Sequence, residues 1–372
     1  MKNSENPMVK DDWFFPFENK DWEKADPKAV GFNSRGLEEA LNYAGEHNTT
    51  GIVILYKGRV LAERYWDFKK IDPKENVLLK QSLAFYSNMQ AGKTAQGYPL
   101  EDTASVQKSL IATLVYLARQ KGYINFDDPV TQYLGPGWTN TPPEAEKKIK
   151  VKHLLNMTSG LTPTLQYSAE PGETWLYNTT TFQLLVYVVA NAVKKDINEI
   201  TREWISGPLN MEDTKWVIRK WMPPFKDRPV VGMITSNRDL ARFGLFLLTG
   251  GSWAGQSIFM NLNDVREMFE PSQKMNPSYG ILWWLNGQKY FLTPADPPVK
   301  IEQPLIPSAP LDLVAALGLF DRAVFIVPSH DLVVTRLGFM GNIDPTQMET
   351  HPFFDEFWKK LTPALPKKAS GK

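Results

Sequence analysis

The chain has 372 residues, 42 lysines and arginines against 41 aspartates and glutamates, 42% apolar and 12% aromatic residues, and no cysteine. Balanced charge, with no basic block beyond the tail Pro366-Lys367-Lys368, argues against nucleic acid and anionic membrane surfaces as partners. The missing thiols exclude disulfides, thiolate nucleophiles and zinc–thiolate sites, and no run approaches the ~18 apolar residues of a membrane span.

Residues 1–30 read as an irregular N-terminal arm. The stretch Met1 to Phe17 has no apolar h-region, so no export leader is expected in it. Composition leaves the compartment open: cytoplasmic as written, periplasmic or secreted if a leader has been removed. Asn33 or Ser34 can cap a helix running to about Glu46. Two β-rich runs, 51–56 and 59–66, flank the turn Lys57-Gly58 and predict a hairpin. Residues 67–100 show little periodicity and read as a long excursion. From 105 to about 225 the pattern is mostly helical, with helices expected at 150–157 and 180–193 and a further one at 237–249. The runs 323–327 and 332–337, joined by Pro328-Ser329-His330-Asp331, predict a second hairpin, and a helix over about 350–361 closes the chain. Strands at both ends with helices between predict one antiparallel sheet flanked by helices, an α+β architecture with a helical insertion. The expected division is an arm (1–30), an α/β subdomain (31–104 with 230–372) and a mostly helical subdomain (105–229), together forming one catalytic unit.

Ser105-Val106-Gln107-Lys108 stands at the head of the apolar run 109–118. On a helix, residues three apart share a face, so the Lys108 amine can reach the Ser105 hydroxyl. A serine hydroxyl is a poor nucleophile until a neighbour takes its proton. A lysine kept neutral by burial or by another cation can do that. A third proton-handling group is expected, and Tyr177 is the candidate. It sits where the loop Trp175-Leu176-Tyr177-Asn178 runs into a helix, and tyrosine suits the role when a cation depresses its pKa. Tyr86 and Tyr123 also stand in Y-x-N sequences but lack that loop-to-helix setting.

Rival signatures are missing: there is no G-x-S-x-G elbow, no phosphate-binding G-x-x-x-x-G-K-[ST] and no G-x-G-x-x-G. The four histidines, His47, His153, His330 and His351, are scattered without ligand spacing, and His153 reads as a buried structural residue. No metal and no organic cofactor are expected.

Taken in order, several blocks resemble the serine β-lactamase-like hydrolases. That group spans class C β-lactamases, D-alanyl-D-alanine peptidases, related esterases and 6-aminohexanoate-oligomer hydrolases. Ser105–Lys108 with Gly122–Val130 is similar to the family's nucleophile helix and next turn. Residues 151–161 are similar to its H-L-L-x-M-T-S-G-L block, 207–214 to its P-L-G-M-x-D-T block and 235–244 to a later helix. The resemblance covers about residues 28 to 362. It implies a β-lactamase/transpeptidase-like fold with Ser105 as the acylated nucleophile, Lys108 as its activator and Tyr177 as the second base. The backbone N–H groups of Ser105 and Leu319 would hold the oxyanion. Substrate would meet Thr179, Gly318, Phe320, Trp283 and Trp284.

Two departures matter. The family's Y-S-N reads Tyr177-Asn178-Thr179 here, and its K-T-G or H-T-G reads Ala316-Leu317-Gly318. The cation and hydroxyl that receive a β-lactam carboxylate are absent from the strand, with Arg322 and Arg336 the available substitutes. Arg322 could equally pair with Asp321. The implied function is hydrolysis of a small-molecule carboxylic ester or amide. The alternatives are a β-lactamase or D-alanyl-D-alanine peptidase and, from another class, a binding protein on an inactive hydrolase fold.

Overall fold

The computed structural model describes residues 12–16, 22–254, 256–258, 263–342 and 351–367. Its largest sheet has six antiparallel strands in the order Arg59–Tyr65, Thr49–Tyr56, Leu332–Gly338, Arg322–Val327, Val314–Gly318 and Trp284–Leu285. The two hairpins predicted at opposite ends of the chain therefore lie side by side, with Val53 opposite Thr335. Thr49–Tyr56 and Arg322–Val327 are buried almost throughout, because helices cover both faces. On one face the C-terminal helix Pro352–Leu361 sets Phe354 and Trp358 edge-on against Phe325, and the helix Ser34–Glu46, capped by Asn33, lies beside it. The helix Asn237–Leu248 covers the other face. Within the described part of the arm, residues 12–16 and 22–30, the Phe14 N–H donates to the Lys57 carbonyl and the Ala25 N–H to the Val60 carbonyl. The arm is thereby fastened along the first hairpin.

Two stretches depart from the sequence-based expectation. Residues 67–100 contain the helix Val77–Ser87 and the strands Gln90–Lys93 and Pro99–Asp102. That helix buries only Leu79 and Tyr86, leaving Val77 and Leu78 more than half exposed. Its apolar residues thus form no continuous stripe of the kind that marks a helix in sequence. The expected helical stretch also ends in a strand, Lys215–Ile218. It joins Val231–Thr235, Pro99–Asp102 and Gln90–Lys93 in a second, four-stranded sheet. Four residues with one buried are too short for strand alternation to register.

The second sheet matters because Pro99–Asp102 leads into Ser105, with the Thr103 N–H donating to the Met233 carbonyl. From there the helix Gln107–Gln120 runs through the interior, buried from Gln107 to Ala118, against the helix Thr179–Val193. The family-like blocks meet around this core. Asp239 accepts from the Asp213 N–H (2.8 Å) and the Thr214 hydroxyl (2.9 Å), fastening the 207–214 segment to the 235–244 helix. Among the described residues, no helix is long and apolar enough to cross a membrane.

Candidate active site

Ser105 sits in a single 3₁₀ turn, Ala104–Val106, that feeds the helix Gln107–Gln120. Ala104 takes the left-handed conformation (φ +51°). L-residues other than asparagine and aspartate adopt it at a cost of about 1–2 kcal/mol. The turn lifts Ser105 half out of the core while Lys108 stays 2% exposed. Lys108 Nζ lies 2.7 Å from Ser105 Oγ and 3.2 Å from Thr179 Oγ1. It also stands over the rings of Tyr177 (4.8 Å) and Phe182 (4.7 Å). Among the described residues it joins no ion pair. Burial, and secondarily the charge of Arg219, hold its amine well below the ordinary lysine range.

Tyr177 reaches the same point from across the cleft: it lines the cavity beside Ser105, and its ring lies 4.8 Å from the Lys108 amine. Asn178 caps the following helix, accepting from the N–H groups of Thr180 (3.0 Å) and Thr181 (3.2 Å). The Asn178 amide donates to the carbonyls of Leu161 and Thr162, so the 151–161 block anchors the loop that carries the tyrosine. The Tyr177 ring stacks on Trp284 (5.6 Å between centroids) and meets Tyr279 edge-on. Burial pushes the phenol up to about 12, with the Ser105 contact opposing. Burial, not a neighbouring cation, is the dominant influence on Tyr177, opposite in direction to the depressed pKa expected from the sequence. Of the competing tyrosines, Tyr86 is buried with its hydroxyl on Glu101, and Tyr123 lies on the surface against Trp204.

The third wall is the strand Val314–Gly318 and the turn Leu319-Phe320-Asp321. A Cβ on Gly318 would fall 2.6 Å from the Thr103 carbonyl oxygen. Glycine is needed there because the strand abuts the nucleophile turn itself. Leu319 follows directly and lines the cavity. A cavity of about 310 Å³ opens between the three walls. Ser105, Tyr177 and Thr179 give it a polar side, and Trp284, Leu317, Leu319 and Phe320 an apolar one, with Pro294, Asp321 and His351 completing the lining. Thr179 faces the cavity with its hydroxyl already bound to Lys108.

Trp283 requires a correction. It is fully buried, stacked on Phe243 and edge-on to Phe269, and it does not line the cavity. Neighbouring residues of an extended segment point to opposite faces, so Trp284 at the cavity leaves Trp283 in the core. The two candidate substitute cations are also committed elsewhere. Arg322 is 0% exposed, donates to Glu101 (2.7 Å) and to the Leu319 carbonyl (3.0 Å), and does not pair with Asp321. Arg336 is buried and donates to the Thr49 hydroxyl and four backbone carbonyls. His153 accepts from the Lys150 N–H (3.1 Å) to cap a short helix, and burial lowers its pKa to about 4.

Sequence reasoning missed the carboxylates that hold the turn. Glu101 and Asp102 are two adjacent acids just before an apolar helix, which was a visible signal. Their partners, Arg322 and Arg219, lie 221 and 117 residues away and gave none.

The family model described as beta-lactamase matches residues 35–338. An uncharacterized protein of Alkalihalophilus pseudofirmus is 25% identical over 335 residues, covering 83% of this chain and 88% of its own. Penicillin-binding protein 4* of Bacillus subtilis is 23% identical over 176 residues, covering 40% of this chain and 38% of its own. Among solved structures, a Bacillus anthracis protein provisionally assigned as a 6-aminohexanoate-dimer hydrolase superposes with a TM-score of 0.63 at 16% identity, covering 94% of this chain and 89% of that one. A beta-lactamase from Mycobacterium bovis gives 0.54 at 17% identity, covering 86% and 99%. At these identities the structural likeness is one of fold, and the fold shared is the β-lactamase-like arrangement of an antiparallel sheet flanked by helices.

Proposed function

The chain belongs to the beta-lactamase family, and from that premise we propose that it hydrolyses carboxylic esters or amides through an acyl-enzyme on Ser105, activated by Lys108 and Tyr177. The observation that carries this reading is the 2.7 Å contact between the Lys108 amine and the Ser105 hydroxyl at the wall of a cavity that Tyr177 also lines. Burial and the charge of Arg219 hold the amine well below the ordinary lysine range, which favours the neutral form whose lone pair can take the serine proton.

As Ser105 Oγ attacks the substrate carbonyl carbon, its proton passes to Lys108 Nζ and the carbonyl π electrons move onto oxygen. The backbone N–H groups of Ser105 and Leu319 hold that oxyanion in this reading. When the carbonyl re-forms, the bond to the leaving alkoxide or amine breaks, and the leaving group takes the Tyr177 proton. The Lys108 ammonium then returns its proton to the phenolate. In deacylation a water gives its proton to the same pair, adds to the ester carbon, and Ser105 leaves with its proton restored. A phenol whose pKa lies near 12 in the resting site suits a donor to an alkoxide or amine better than a standing base.

The apolar lining and the commitment of Arg322 and Arg336 favour an uncharged acyl or alcohol group over a carboxylate-bearing β-lactam. A carboxylate entering here would lose its hydration without a cation to replace it. An active-site serine phosphonate tests the reading: mass spectrometry should find the label on Ser105 in the wild type and nowhere in Ser105→Ala. An unlabelled wild type would instead favour a binding protein on this fold.

A further inference from the structure

Resting on that reading, we infer that Asp102 and Arg219 are positioning residues for acyl transfer. The carboxylate fixes the turn that presents Ser105. The guanidinium holds the carboxylate and keeps a positive charge within electrostatic range of the Lys108 amine.

The geometry is specific. Arg219 Nε and Nη2 donate to the two oxygens of Asp102 at 2.7 and 2.6 Å, and both side chains are buried. The same carboxylate oxygen that takes Nη2 also accepts the Ala104 N–H at 2.9 Å. Ala104 is the left-handed residue immediately before Ser105. Such a conformation persists only where surrounding structure imposes it, and the charge-assisted bond to Asp102 does so. Gly232 makes the room: a Cβ there would fall 2.2 Å from Asp102 Oδ2 and 2.5 Å from Arg219 Nε. A chain that keeps a bare backbone beside a buried ion pair has built its second sheet around that pair.

The groups in contact with Lys108 come from three segments: Ser105 on its own turn, Tyr177 on the preceding loop, and Thr179 and Phe182 on the helix Thr179–Val193. Arg219, just after the strand Lys215–Ile218 and with Asp102 as its counterion, acts on the amine through its charge. Among these Arg219 is the charged group that acts on the amine, adding to burial in keeping it unprotonated.

The test follows Ser105 phosphonylation by mass spectrometry from pH 5 to 10, with kcat and KM on an aryl ester, in wild type, Arg219→Gln, Arg219→Lys and Asp102→Asn. Arg219→Gln should move the acid limb to higher pH by roughly half a unit or more, because Lys108 then holds its proton longer. It should also lower the plateau rate about tenfold with little change in KM. Arg219→Lys, which keeps the charge, should leave the limb in place. Asp102→Asn should lower the rate at every pH without raising the limb, since the cation remains. A wild-type pH profile in Arg219→Gln, or the same flat loss in Arg219→Gln and Arg219→Lys, overturns the inference. If Arg219→Gln does not fold, an upward limb shift in Asp102→Asn does so. A wild type that is never labelled removes the hydrolase reading and this inference together, whereas a labelled wild type with an unmoved Arg219→Gln removes the inference alone.

Discussion

The Lys108 amine is 2.7 Å from the Ser105 hydroxyl and is balanced by no carboxylate among the described residues. A buried lysine without an ionic partner is held neutral by the cost of desolvating its charge. The same arrangement that would be a defect in a structural core suits the base of the proposed mechanism.

Ser105→Ala and Lys108→Ala should each lower ester kcat by on the order of 10³-fold or more, and the double variant should lose little beyond either single one, because the two act as a unit. Since the Lys108 amine is held below its ordinary range, protonation rather than deprotonation switches the enzyme off. The wild-type kcat/KM should therefore rise with pH along a limb lying well below the pKa of a free lysine. Near wild-type turnover in Lys108→Ala would falsify the assignment.

Tyr177→Phe should fold, since the ring keeps its stack on Trp284 and only the hydroxyl is lost. Turnover should drop by ~10²-fold or more, the usual contribution of a positioned acid or base. The loss should be smaller on esters with acidic phenol leaving groups, which need no proton. An equal loss on phenyl and alkyl esters would mean that Tyr177 does not protonate the leaving group.

Arg322→Ala should cost about 3–5 kcal/mol in urea unfolding, because Glu101 would be left buried without its charged partner. Adding Glu101→Gln should recover part of that loss. A loss below about 1 kcal/mol would show that Arg322 is free to leave Glu101, and would revive it as a substrate cation.

Hydrolysis of a short-chain aryl ester should be clearly faster than that of a chromogenic cephalosporin. The wall Ala316-Leu317-Gly318 offers no cation, and both nearby arginines are engaged. Comparable kcat/KM values on the two substrates would move the protein toward the β-lactamases.

Local pattern determined much of this molecule. The hairpins at 49–65 and 322–338, the helix after Ser105 and the one after Tyr177 were legible because each is a dense apolar run of strand or helix length bounded by turn or capping residues. The Ser105–Lys108 contact was legible too, since a helical turn fixes where a residue three positions on must point. What the sequence could not give was the burial around Tyr177, the direction of Trp283 and the partners of Glu101 and Asp102. Each depends on what stands opposite: the aromatic wall and buried amine around the phenol, the alternation that sends Trp284 to the cavity and Trp283 to the core, and arginines brought back from more than a hundred residues away. Periodicity records which face of an element is buried; only the assembled fold decides which groups share that burial, and in a low-dielectric interior that decides their charge.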